Sequence, residues 1–208
     1  GVASAENTIE WPPSRDIVMS VAGFEEALSS SLSVRIEENL IVRVASLPGL
    51  MLLKLLAWAD RKFETNKDAA DIYRLLTTWA DAGNTDRLYD EEMDLLEAAE
   101  FDLQVAGAEL LGRDVALVCS LPALALARSV LESEKDIEQL IYQMVRTSTV
   151  PEAIAIPRTP DDCVSQGTTT AASVILDVER YWLRGMDLKH RPLGHEFNIS
   201  FWLIAPVR

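Results

Sequence analysis

Two hydrophobic periods divide this chain. Between Asp16 and Val21 apolar and polar residues alternate and β-branched types are frequent, which predicts a strand. A short helix from Gly23 to Ser30 follows. Val34–Ile36 and Leu40–Val44 then read as two strands, with Glu37, Glu38 and Asn39 as their hairpin turn. At Pro48-Gly49 the period becomes helical. One helix is predicted from Gly49 to about Lys62, burying Leu52, Leu53, Leu56 and Ala59. Thr65-Asn66-Lys67-Asp68 has the form of a capping box opening a second helix that runs to about Trp79, where Ala82-Gly83-Asn84 breaks it.

Further helices are predicted over Tyr89 to Ala99, Phe101 to Cys119 and Leu121 to Arg146. The last offers Leu124, Leu131, Ile137, Leu140 and Ile141 for packing. Pro151, Pro157 and Pro160 mark a stretch without period. Val174 to Leu183 reads as a final helix, and Phe197 to Val207 as a strand-like run with nothing obvious to pair against. The expectation is an α+β chain, predominantly helical. Residues 1–46 would form a small incomplete sheet, 47–146 a helical region, and 147–208 a loop-rich linker and tail.

Composition adds limits. Apolar residues make up 49% and charged residues 25% of the 208, an ordinary globular mix. Apolar runs such as Leu50–Leu53, and Ile199–Ala205 with its single serine, are far too short to span a bilayer. With no secretory leader pattern at its start, the chain is expected in the cytoplasm, with Cys119 and Cys163 as reduced thiols and no membrane partner. The net charge of −14 speaks against broad electrostatic binding of nucleic acid. Residues 165–208 hold five Lys/Arg and four Asp/Glu, a charge of +1, which leaves −15 on the remainder. His190 and His195 lack further ligands for a metal site, and the nine glycines form no phosphate loop.

The stretch from Leu47 to Leu76 carries the candidate chemistry. Lys54, Trp58 and Arg61 stand at i, i+4 and i+7, so they share one helical stripe. Two cations and an aromatic so placed suit a nucleotide, with Lys54 and Arg61 on phosphates and Trp58 against a base or ribose. Asp68 and Asp71 share a face of the next helix, and Asp71, beside Ile72 and Leu75, is expected to point inward. A structural reading stands beside this one. Lys54 would snorkel along the core, Asp68 would cap its helix, and Asp71 would pair with Lys67 or Arg61 to fix the angle between helices.

The run Pro48-Gly49-Leu50-x-Leu52-Leu53-Lys54-Leu55-Leu56-Ala57-Trp58-x-Asp60-Arg61, followed by Lys67-Asp68-Ala69-x-Asp71-Ile72, resembles the region downstream of the catalytic core in the abortive-infection nucleotidyltransferase toxins of the AbiEii type. Softer likenesses flank it. They are Trp11-Pro12-Pro13 with Val18 to Ala27 ahead, and Gly83-Asn84-x-Asp86-Arg87-Leu88-Tyr89 and Phe101 to Asp114 behind, so the resemblance covers about Thr8 to Val115.

The resemblance implies transfer of a nucleoside monophosphate from a nucleoside triphosphate to a hydroxyl of RNA or protein, with Mg²⁺ held by carboxylates. It also implies an antitoxin as protein partner. By the same likeness Lys54, Arg61 and Lys67, with Trp58, fall to nucleotide and phosphate binding, and Asp68 and Asp71 to orienting them or acting as base. The family's Gly-Ser turn and Asp-x-Asp (or Glu) strand pair are missing from the sequence. The expectation is that the chain begins just after them and is inactive alone. The alternative is a catalytically silent helical module whose acidic surface engages a basic partner.

Overall fold

The computed structural model describes residues 8–10, 13 and 18–147. The predicted Val174–Leu183 helix, the Phe197–Val207 run, both histidines and Cys163 lie outside the described residues.

Among the described residues the strands form two separate antiparallel pairs rather than one sheet. β1 (Thr8–Glu10) pairs with β2 (Val18–Ser20), Ile9 opposite Met19. After α1 (Phe24–Ser29), β3 (Leu32–Glu37) and β4 (Leu40–Val44) make the expected hairpin, with Val34 opposite Val42 and a bulge between Arg35 and Glu37. Arg43 ties the hairpin to the end of α1, its guanidinium donating to Ser31 Oγ at 2.8 Å and to the Leu28 carbonyl at 2.6 Å.

After the hairpin the elements among the described residues are all helical: α2 (Leu47–Arg61), α3 (Lys67–Thr78), α4 (Thr85–Asp90), α5 (Met93–Ala98), α6 (Leu103–Val118), α7 (Leu121–Leu131) and α8 (Glu134–Thr147). Over its described residues the protein is therefore α+β and mostly helical. The tripeptide Ser-Leu-Pro starts both α2 and α7. Ser46 Oγ accepts from the Gly49 amide at 3.2 Å and Ser120 Oγ from the Ala123 amide at 3.4 Å, while the proline sits in the first turn, where no amide hydrogen is needed. α2 thus starts at Leu47, two residues before the predicted Gly49, with Pro48 inside it.

The structure corrects other boundaries. The capping box before α3 forms only in part: Thr65 Oγ1 accepts from the Lys67 amide at 3.3 Å, while Asp68 is taken up by Lys54 and Arg61. The predicted Tyr89–Ala99 helix is two helices, α4 and α5. Asp90, Glu91 and Glu92 put three carboxylates where a helix end favours cations, and the amides of Glu91 and Glu92 both turn back to the Arg87 carbonyl. The long Leu121–Arg146 helix is also two. The Glu132 amide closes α7 on the Arg128 carbonyl, and the Ser133 carbonyl starts α8 by accepting from Asp136 and Ile137.

α6 is the central helix, buried almost throughout, and α2, α3, α4 and α5 pack around it. Its small residues allow close approach: a Cβ on Gly107 would lie 3.0 Å from the Ala80 amide nitrogen. Ala80 opens a π-helical turn, Ala80–Asn84, where Gly83 takes φ 97° and the chain swings into α4. Of the helix residues expected to pack, Leu52, Leu56, Leu124, Leu131 and Leu140 are buried, and Ala59, Ile137 and Ile141 are partly buried against the same core.

Candidate functional site

The α2–α3 pair brings four of the candidate residues together. Arg61 stands at the end of α2 and Asp68 in the first turn of α3, and the five residues between the helices, 62–66, fold the two back on each other. Arg61 Nε donates to Asp68 Oδ2 at 2.6 Å and Nη2 to Oδ1 at 2.9 Å, a two-pronged bond. Lys54 Nζ reaches in from α2 between both acids, 2.6 Å from Asp71 Oδ2 and 3.3 Å from Asp68 Oδ1.

The burial of the four is unequal. Asp68 is 1% exposed, against 26% for Lys54, 48% for Arg61 and 51% for Asp71. Asp71 is therefore at the surface, and it is Asp68 that points inward, the reverse of the expectation. Burial alone would raise the Asp68 carboxyl, but its bonds to Arg61 and Lys54 outweigh that and hold it below its ordinary value. Lys54 is held above its ordinary value, chiefly by Asp71 and against the pull of burial, and Arg61 is raised chiefly by Asp68.

Trp58 does not join this face. It is fully buried, and its indole N–H donates to Gln143 Oε1 on α8 at 2.7 Å. Gln143 Nε2 in turn donates to the Lys62 carbonyl at 2.6 Å. The cation near the indole ring is Lys62, 5.3 Å from its centroid. α8 packs on the side of α2 to which Trp58 points, so the stripe of three divides and no base can stack there. Lys67 is exposed, and its side chain has no ion-pair partner among the described residues.

The donors left over define what the cluster can do. Lys54 uses two of its three N–H groups on carboxylates, and Arg61 uses two of five, so both keep hydrogens for an oxyanion. Mg²⁺ does not fit here. Both Asp68 oxygens already accept from cations, Asp71 is paired with Lys54, and a divalent ion would sit against two positive side chains. Among the described residues no group of three or more His, Cys, Asp or Glu side chains is placed to hold a metal ion. Asp68 suits orientation rather than base work, since its carboxylate is enclosed and held by its cationic partners.

A second ionic cluster escaped the sequence reading. Arg87 on α4 grips Asp114 on α6 with bonds of 2.8 and 2.7 Å, and Arg113 bonds Glu92 at 2.6 Å and Asp94 at 3.1 Å. Burial pulls the Arg87 guanidinium down, but its bond to Asp114 outweighs this and raises it. These contacts fasten α4 and α5 to α6. Residues 27 positions apart carry no local signal of pairing, although both lie in the flanking runs of the resemblance. Cys119 is a half-buried thiol pushed up to about 12 by burial and by Glu26, so it stays protonated at neutral pH.

No helix among the described residues is long and apolar enough to cross a membrane. No protein-family model, curated protein or solved structure matches this chain.

Proposed function

We propose that the chain is the helical part of a cytoplasmic, bacterial nucleotidyltransferase-family protein in which α2 and α3 present Lys54, Arg61 and Lys67 to the phosphates of a nucleoside triphosphate. The observation that supports this is the buried Asp68, which holds two cationic heads at the surface with donors to spare. Placing a carboxylate out of water costs several kcal/mol by general estimates, so its return lies in fixing the geometry of its partners. The Gly-Ser turn and Asp-x-Asp pair are missing from the sequence, so this chain binds but does not transfer alone. An RNA or protein hydroxyl as acceptor and an antitoxin as partner belong to the same reading.

One observation favours the second reading, a silent interaction module. Lys54 and Arg61 are already neutralised by Asp68 and Asp71, and the whole chain carries −14. Calorimetric titration with each of the four nucleoside triphosphates, with and without Mg²⁺, separates the two. Asp71→Asn removes a surface charge from the rim without touching the core. It should tighten triphosphate binding roughly fivefold, the scale of one charge near the surface, and Lys54→Ala with Arg61→Ala should weaken it. No heat with any triphosphate, in the native chain or in Asp71→Asn, would leave the silent module standing.

A further inference from the structure

The β3–β4 hairpin has one face made almost wholly of apolar side chains, and none of it is buried. Alternation along β3 puts Leu32, Val34 and Ile36 on one side, and the register with β4 adds Leu40, Val42 and Val44 to that side. Ser33, Arg35, Ile41 and Arg43 occupy the other, and Glu37, opposite Leu40, closes the apolar side at the turn end. Leu32 is 58% exposed, Ile36 60% and Val44 46%, and the whole of β3 is open to solvent. Both outer edges of the ribbon are unpaired among the described residues.

We infer that this face is an interface between two copies of the chain, the apolar sides of two hairpins packed against each other about a two-fold axis. The face, rather than the edges, drives the contact, because unpaired backbone groups at an edge bond to water whereas this row of side chains cannot. The exposed apolar area is on the order of 400–500 Å² per copy, as large as the largest patch on a typical monomer. Two such faces together remove about 1,000 Å² from water, where specific interfaces begin. The face is self-complementary, as a two-fold interface requires: it is uncharged over Leu32, Val34, Val42 and Val44, and it stands clear of the helical body. Each copy carries −14, so association should strengthen with salt as that repulsion is screened.

Sedimentation of the full 208-residue chain from roughly 1 to 100 μM tests the inference, a range matched to an interface of this size. The expected result is a monomer–dimer equilibrium that shifts toward dimer with added salt. Val34→Thr combined with Ile36→Thr and Val44→Thr keeps strand-forming side chains but removes the apolar face, and should raise the dimer dissociation constant at least tenfold. Ser33→Thr, on the opposite face, should leave it unchanged. Circular dichroism of each variant checks that the fold is kept. A chain that stays monomeric throughout, or a dimer unaffected by the triple threonine change, overturns the inference. A monomer that also fails to bind a hydrophobic dye overturns it too, in favour of cover by residues 148–208.

Discussion

Arg61 and Asp68 meet through two bonds, 2.6 and 2.9 Å, across the turn that joins α2 to α3, and the acid is enclosed while the cation is half open to water. That inequality decides which partner is costly to remove. Replacing Lys54 and Arg61 together by Met leaves a buried carboxylate unpaired and should cost about 3–5 kcal/mol. Asp68→Asn leaves two cations that water can reach and a polar group of the same shape, and should cost only about 1–2 kcal/mol. Urea unfolding of both variants measures the difference, and equal losses would show that Asp68 is less enclosed than described.

The same pair sets a pH dependence. Asp68 is held below its ordinary 3.8, so its contribution to stability is complete above that value and is lost as pH falls through the lower folded-state value. The stability gap between the native chain and Asp68→Asn should therefore be constant from about pH 5 to pH 7 and shrink below about pH 4. Urea midpoints taken across that range check it. A gap that widened on acidification would reverse the sign.

Trp58 and Gln143 supply a third test. Trp58→Phe keeps most of the apolar volume but removes the buried indole N–H that Gln143 Oε1 accepts from, and should cost about 1–3 kcal/mol. Adding Gln143→Leu removes the acceptor of the same bond. The double variant should then be less damaged than the sum of the singles by at least ~0.5 kcal/mol. Strict additivity would mean that the bond carries no weight.

Glu100 and Phe101 have φ of 52° and 66°, left-handed values for two successive residues with side chains, between α5 and α6. The strain is offset by the Phe101 amide, which bonds the Leu96 carbonyl at 2.7 Å, and by Asp102, whose Oδ1 caps α6. Glu100→Gly should relieve part of it and raise stability by about 1 kcal/mol. A loss of stability in thermal unfolding would mean that the Glu100 side chain makes a compensating contact.

Much of this architecture was legible from period alone. The hairpin, α1, α2 and α3 fall where alternation and helical spacing place them, because each has a local signal. The splits at Glu91-Glu92 and at Glu132-Ser133 were hidden, since apolar positions continue across both breaks and the turn is fixed by what packs on either side. Lys54, Arg61 and Asp68 were chosen by spacing and do meet. Which of Asp68 and Asp71 would be buried depends on how far α3 is rotated against α2, and spacing in one helix cannot supply that. Trp58 left its stripe for a similar reason, because the element that claims it, α8, lies far downstream.

That distance matters while the protein is being made. The acceptor for the Trp58 indole arrives 85 residues after the indole itself. At roughly 5–20 residues per second of synthesis, several seconds separate the two. Through that interval every nascent chain carries α2 and α3 with the surfaces that α8 will cover still wet, so the last of the described helices to be translated is also the one that covers them.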